Sequence, residues 1–313
     1  MTRLVVRRLA LALPLLLAVS ALTFVLTALA PGDAAATILG ASATPAQIAA
    51  LRRELGLDDP LWTQYWHWLS SALHGNLGES PITSQSVTSA LATRLPVTLS
   101  LVVGAVLVAS VLGVTLGTFS ALRGGILGRA ADVLAMLGYA IPNFWLGLVL
   151  VDLFAVQHRL LPATGYVSIS GSLWGWLRAL VLPVVTLAVV GVAGITKATR
   201  DAVRDVMNQD FIAALRADGV PESRIIFRHV LRNAAIPIVT LIGVFFIGML
   251  GGTVLVESVF VMPGLGSLAV SSAQTGDLTM LQGIVVVFCV IVIAANLLVD
   301  VTYGFLNPKA RIR

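Results

Sequence analysis

Charge is what this chain has least of. Of its 313 residues only 11% are Asp, Glu, Lys or Arg, and 58% are hydrophobic; a soluble domain carries about 25% charged residues. That balance excludes a water-soluble enzyme. Cysteine is nearly absent as well: Cys289 stands alone, so neither a disulfide framework nor a thiolate metal cluster can form within the chain. The four histidines, His67, His74, His158 and His229, include no pair at i, i+4, and a helix-borne zinc site is not expected. The two lysines, Lys197 and Lys309, lie outside any Gly-x-x-x-x-Gly-Lys-Ser/Thr loop, and there is no Gly-x-Ser-x-Gly elbow. The chain is therefore no ATPase, and neither a catalytic residue nor a cofactor of its own is expected.

What it has is apolar length. Six charge-free runs, Leu9–Leu29, Leu95–Leu122, Val133–Val151, Ala179–Thr196, Ala234–Val256 and Leu278–Val299, contain 21, 28, 19, 18, 23 and 22 residues. A bilayer core of ~30 Å takes ~20 helical residues, so each run can cross once. Within lipid a lone segment must satisfy its own backbone, which leaves the helix. The expectation is an all-α membrane protein with six transmembrane helices.

With the amino terminus inside, 15 of the 20 basic residues fall on one side and 5 on the other; the positive-inside rule then puts both termini in the cytoplasm. Five of the six tryptophans (Trp62, Trp66, Trp68, Trp174 and Trp176) fall in segments assigned to the outer side, where they suit the headgroup zone. The basic residues are spread between spans, which argues against a nucleic-acid partner. Arg3, Arg7 and Arg8 before the first run, and Ala28-Leu29-Ala30 at its end, also fit a cleaved signal; the 21-residue core is longer than the ~15 of a signal peptide, and a retained span is expected.

Residues 31–94 are too polar to cross, yet carry helix signals. Thr44-Pro45-Ala46-Gln47 is a capping box with Gly56 as a stop, and a second helix is predicted from Asp59-Pro60 to near Gly75, with Trp62, Trp66, Leu69 and Leu73 on one face. It suits the outer leaflet or a dock for an external partner. Gly113-x-x-x-Gly117 and Gly248-x-x-x-Gly252 suit close helix contacts, and Pro14, Pro142, Pro183 and Pro237 could bend spans. Asp132, Asp152, Glu257 and Asp300 sit at run ends, where carboxylates hydrate or cap.

The long cytoplasmic segment, 197–233, alternates charge with apolar residues at helical spacing. Asp210 opens a short helix with Phe211 and Leu215 on one face, Asp218-Gly219 closes it in a left-handed stop, and Pro221-Glu222 opens a second. There Arg224, Arg228 and Arg232 form a stripe of about 80°, opposite Ile225, Ile226, Phe227, Val230 and Leu231. Anionic lipid could meet the stripe; the wide apolar face suits a groove on a partner.

The run Asp210-Phe211-Ile212-Ala213-Ala214-Leu215-Arg216-Ala217-Asp218-Gly219-Val220, with Arg228-His229-Val230-Leu231-Arg232-Asn233-Ala234-Ala235-Ile236-Pro237, resembles the EAA coupling loop of ABC importer permeases. Its longer glycine-to-proline spacing resembles the branch that imports dipeptides, oligopeptides and, in some members, nickel or glutathione. Arg7-Arg8-Leu9, Pro31-Gly32-Asp33, Leu55-Gly56-Leu57-Asp58-Asp59-Pro60-Leu61, Gly75-Asn76-Leu77-Gly78, Glu257-Ser258-Val259-Phe260, Pro263-Gly264-Leu265-Gly266 and Asn296 to Asp300 before Asn307-Pro308 resemble the same branch in order. Ala213 stands where the motif name has an acid, Leu215 where it has a second alanine, and Asp218 where many peptide permeases have a base.

The resemblance implies a type I ABC importer permease fold. It would be organised as a first span (1–30), an extracytoplasmic segment (31–94), a five-helix domain (95–306) holding the coupling loop, and a tail (307–313). It implies a second homologous permease, two ATPase subunits that bind ATP and Mg, an extracytoplasmic solute-binding protein and surrounding lipid. The residues it carries over for ATPase coupling are Asp210, Phe211, Ala213, Ala214, Leu215, Gly219, Arg224, Arg228, His229, Asn233 and Pro237. The implied cargo is a di- or oligopeptide, with nickel or glutathione as the alternative. An ion-driven carrier and a non-transporting scaffold are the rivals from other classes.

Overall fold

A computed structural model describes residues 2–29, 34–40, 42–123 and 125–306. Pro31-Gly32-Asp33, Asn307-Pro308 and the tail 307–313 lie outside the described residues. Apart from one isolated bridge between Glu79 and Ser86, the regular elements among the described residues are helical. Five are long and apolar enough to cross a membrane: Val6–Ala28, Val87–Arg123, Leu173–Met207, Glu222–Val259 and Leu278–Phe305.

The chain divides into two compact units, a smaller one of Val6–Thr98 with Pro263–Ile293 and a larger one of Met1–Val5, Leu99–Met262 and Ala294–Arg313. The smaller unit takes most of α1 (Thr2–Ala28), then α2 (Ala34–Leu39), α3 (Pro45–Glu54), α4 (Leu61–Leu73), the start of α5 (Val87–Arg123), α12 (Leu265–Thr275) and the start of α13 (Leu278–Leu306). The predicted capping box is present: Thr44 N donates to Gln47 Oε1 at 2.9 Å and Gln47 N to Thr44 Oγ1 at 3.4 Å. Gly56, at φ +65°, ends α3, and Leu57 N closes the stop on Arg52 O at 2.9 Å. Leu61–Leu73 carries the aromatic helix, whose Tyr65 turns onto α1, meeting Phe24 edge-on and sharing a 2.9 Å hydrogen bond with Ser20.

The core of this unit is Val87, Ala90, Leu91, Leu265, Leu268, Met280 and Ile284, all buried. α12 was not signalled by the sequence; it lies in what reads as a turn, and its start is pinned by Leu265 N donating to Thr98 Oγ1 at 2.8 Å. Asp277 opens α13: its Oδ1 accepts from Met280 N at 3.0 Å and its Oδ2 from Ser80 Oγ. Both side chains are buried. Ser80→Ala should leave that carboxylate short of a donor and cost about 1–3 kcal/mol, read as a lower melting temperature of the purified protein; an unchanged value would contradict the clasp.

In the larger unit the middle helix is α8 (Leu173–Met207), which packs against α6 (Gly125–Ala140), α7 (Asn143–Leu150) and α11 (Leu231–Val259). Glycine lets α5 come close to it. A Cβ on Gly113 would lie 2.7 Å from Ile195, and one on Gly117 2.5 Å from Thr196 O, so this small-residue pair is a helix contact. The second pair is looser: among the described residues nothing lies within 4 Å of a Cβ on Gly248, and a Cβ on Gly252 would meet Leu187 of α8 at an ordinary 3.6 Å.

The third charge-free run is not a single helix. α6 stops at Ala140 and α7 begins after Pro142, whose ring removes an N–H and disfavours helix in the residue before it. α7 then widens into i→i+5 turns over Val151–Gln157. Pro14, Pro183 and Pro237, by contrast, lie inside helices that continue past them. Glu257 is not hydrated, as a carboxylate at a run end is expected to be; it is fully buried at the end of α11.

Candidate functional site

α8 runs unbroken through Lys197 to Met207, so the first third of segment 197–233 is an extension of a long apolar helix. The basic residues there have different roles. Lys197 pairs with Asp201 at 3.5 Å on the surface, whereas Arg200 is buried and donates from Nη1 to Gly128 O at 2.9 Å. Counting charges from sequence placed both on the cytoplasmic side without telling them apart.

After Asn208 and Gln209 the chain forms α9 (Asp210–Ala217), with Asp210 in its first turn, where a negative charge meets the positive end of the helix. α9 is anchored by Ile212, which is fully buried among Val203, Val206, Ile225, Val230, Ala234 and Ile238. Phe211, Ala213 and Ala214 stay on the exposed side, and Leu215 is half-buried against the same cluster. The helix ends in a Schellman turn: Val220 N donates to Leu215 O at 3.1 Å and Gly219 N to Arg216 O at 3.0 Å. Gly219 has φ +74°, and a Cβ there would meet nothing within 4 Å, so glycine is required by the backbone angle alone. Val220 and Leu215 both lie on the Ile212 cluster, the apolar contact that accompanies such a turn.

A guanidinium–carboxylate fork closes the turn from outside. Arg216 donates to Glu222 from Nη2 at 2.7 Å and from Nε at 3.2 Å. The hydrogen bond pulls the Glu222 carboxyl below its ordinary value and raises the Arg216 guanidinium further. A lowered carboxylate pKa means that the contribution is present above the ordinary glutamate range and is lost as pH falls through the lowered value; the arginine stays charged throughout. The clamp therefore holds at neutral pH and opens only in acid. Glu222→Gln should quicken amide exchange at Asp218, Gly219 and Val220 at neutral pH, and equal rates in the two proteins would rule the clamp out.

Glu222 starts α10 (Glu222–Arg224), with Pro221 just before it in extended conformation. Ile225–Val230 then winds in wide i→i+5 turns into α11, so the second helix of the pair is continuous with a long apolar helix. The wide turn alters the arc expected from α-helical spacing. Ile225 and Val230 are buried, Ile226 and Leu231 half-buried, but Phe227 is 73% exposed, beside exposed Arg224 and Arg228. Sequence spacing grouped Phe227 with Ile225, Ile226, Val230 and Leu231 on one apolar face opposite the arginines; here that face divides, and no residue in the run signals the extra turn width.

His229 is half-buried and Asn233 exposed, with Asn233 Nδ2 donating to His229 O at 2.8 Å. Pro237 is exposed in the second turn of α11. The site is thus a rigid helix–glycine–helix pair seated on an apolar cluster, with Phe211, Phe227 and two arginines facing away from it. Among the described residues no group of three or more His, Cys, Asp or Glu could hold a metal.

Comparison with known proteins follows the same outline. Residues 109–312 match the family described as binding-protein-dependent transport system inner membrane component, and residues 1–102 match its amino-terminal counterpart. The chain is 39% identical over 308 residues to a probable peptide ABC transporter permease protein, y4tP, of Sinorhizobium fredii, covering 98% of each. It is 34% identical over 336 residues to the dipeptide transport system permease protein DppB of Escherichia coli, covering 99% of each. Among solved structures, a chain of the MetNI methionine ABC transporter in inward-facing conformations shares the fold, at TM-score 0.56 and 18% identity, over 69% of this chain and 96% of that one. By this agreement along its whole length, the chain belongs to the family of binding-protein-dependent transport system inner membrane components, the membrane permeases of ABC importers.

Proposed function

We propose that this permease pairs with a second, homologous permease to form the path by which di- or oligopeptides, handed over by an extracytoplasmic solute-binding protein, enter the cell at the expense of ATP hydrolysed by two partner subunits. Both termini are then cytoplasmic, a reading supported by the 15-to-5 division of basic residues. The observation that carries the reading is the outward face of segment 210–230: Phe211 and Phe227 exposed on an element whose own anchors, Ile212 and Ile225, are fully buried. Exposed aromatics on a rigid support suit a groove in a protein partner better than they suit solvent. The peptide cargo rests on similarity to y4tP, a probable peptide permease, and DppB, a dipeptide permease.

Movement of the ATPase pair would reach the spans directly, because α9 is anchored on the carboxyl-terminal end of α8 and Glu222–Val259 is one continuous helical path. Only interactions that differ between the outward and inward states can drive the alternation. The experiment is reconstitution in liposomes with the co-encoded permease, ATPases and binding protein. ATP-dependent uptake of labelled dipeptide, absent when any component is omitted, is the expected result. Uptake without ATPases would assign a secondary carrier, and accumulation of nickel or glutathione with no peptide uptake would replace the cargo.

A further inference from the structure

The aromatic helix α4 has 13 residues and among them no Asp, Glu, Lys or Arg. At about 100° per residue its side chains fall into three sectors. Gln64, Tyr65, Trp68 and Ala72 form one, half-buried and turned toward the rest of the smaller unit. Trp62, Trp66, Leu69 and Leu73 form the second, and three of them, Trp62, Trp66 and Leu73, are 75%, 66% and 79% exposed. His67, Ser70 and Ser71 form the third, all exposed. The outer surface of α4 is thus divided lengthwise into an apolar stripe and a polar one, the division of a helix that lies between hydrocarbon and water.

Tyr65 fixes the level at which α4 is held. Its hydroxyl shares a 2.9 Å hydrogen bond with Ser20 Oγ and donates to Leu17 O at 3.4 Å, and its ring meets Phe24 edge-on with centroids 5.5 Å apart. These partners lie inside the apolar stretch Val6–Ala28 and not beyond its end: at ~1.5 Å per residue Ser20 is about 12 Å short of Ala28, in a core ~30 Å thick. Gln282, in the second turn of α13, reaches the same level, donating to Ser20 O at 2.8 Å. There α1 exposes Leu22, Val25 and Leu26. With α1 crossing the bilayer, the medium around those side chains is lipid, and the stripe of α4 that Tyr65 holds beside them shares it. Tryptophans with an apolar body and an indole N–H suit that boundary.

We infer that α4 is embedded in the leaflet where α1 ends. Its Trp62–Leu73 stripe is sunk about 5–10 Å into the boundary of headgroups and acyl chains, the depth of an interfacial helix, and its His67–Ser71 stripe stays in water. Lipid, and not an external protein partner, covers the tryptophans. The inference needs only that α1 crosses the bilayer; it is independent of the cargo, of the ATPase contact and of which side is outside.

The test is the depth of nitroxide labels at Trp66→Cys, Leu73→Cys and Ser71→Cys, each in a Cys289→Ser background, in the reconstituted complex with the partners' cysteines removed. Collision with oxygen should exceed collision with a water-soluble nickel chelate at positions 66 and 73, and the order should reverse at 71, with no binding protein present. Trp66→Cys and Leu73→Cys alter different exposed side chains of one stripe, so misfolding of either variant leaves the other to decide. Labels at 66 and 73 that meet the chelate as freely as the label at 71 would overturn the inference. So would labels shielded from both probes, which would put protein over the stripe, or shielding that arises only on adding the binding protein, which would make α4 its dock.

Discussion

Gly219→Arg should insert into the membrane normally, leave the basal hydrolysis of its ATPase partners running, and lose nearly all transport. Two costs combine at this residue. A side chain at φ +74° carries a left-handed penalty of about 1–2 kcal/mol, enough to shift the turn's equilibrium by a factor of roughly 5–30. The space around its Cβ is open, so an arginine there would stand out from the proposed docking face. Gly219→Ala separates the two, since it has the backbone penalty without the bulk; it should retain a measurable fraction of the wild-type rate. Uptake of labelled peptide and phosphate release, measured in the same proteoliposomes, decide the matter. Full transport by Gly219→Arg would sink the assignment of segment 210–237.

Gly117→Leu should have the largest effect on folding. A single Cβ at this position already falls 2.5 Å from Thr196 O and 2.7 Å from Thr199 Cβ, and backbone cannot move aside as a flexible side chain can. Overpacking of this kind costs about 1–3 kcal/mol and more when backbone must shift, and α8 is the helix around which the larger unit is packed. The expected outcome is loss of the monodisperse, detergent-solubilised fraction. Gly248→Ala, made in the other small-residue pair, should be neutral, because its Cβ would meet nothing within 4 Å. Similar yields from Gly117→Leu and Gly248→Ala would show that the two glycines do not differ in packing.

The contrast between those glycines also shows how far sequence alone reaches. Spacing identifies both pairs as candidates for close approach, but which one meets a neighbour depends on long-range packing that no local pattern encodes. Capping is legible for the opposite reason: Thr44 with Gln47, and Gly56 and Gly219 at left-handed stops, act within a few residues of themselves, and each is found where it is expected. The break at Ile141-Pro142 was legible as a bend and not as a break, since Pro14 and Pro183 leave their helices intact. The burial of Arg200 on Gly128 O pairs residues 72 apart in sequence and gives no local sign. At the candidate site the helix–glycine–helix outline, Asp210 in the first turn and the exposed arginines were readable from composition and spacing. The separation of exposed Phe227 from buried Ile225 and Val230 was not, because it depends on a wide turn over Ile225–Val230 that α-helical periodicity does not anticipate.

Phe227 therefore offers the most direct measurement of the central claim, that segment 210–230 is where the ATPases seat. The chain has one native thiol, Cys289, so Phe227→Cys in a Cys289→Ser background gives a single reporter. In the reconstituted complex a short thiol-to-amine cross-linker at this position should join the permease to an ATPase subunit in high yield. The same reporter at Trp62, on the face proposed to lie outside, should give no such product. Absence of the ATPase cross-link from position 227 in an assembled, transport-active complex would contradict the account.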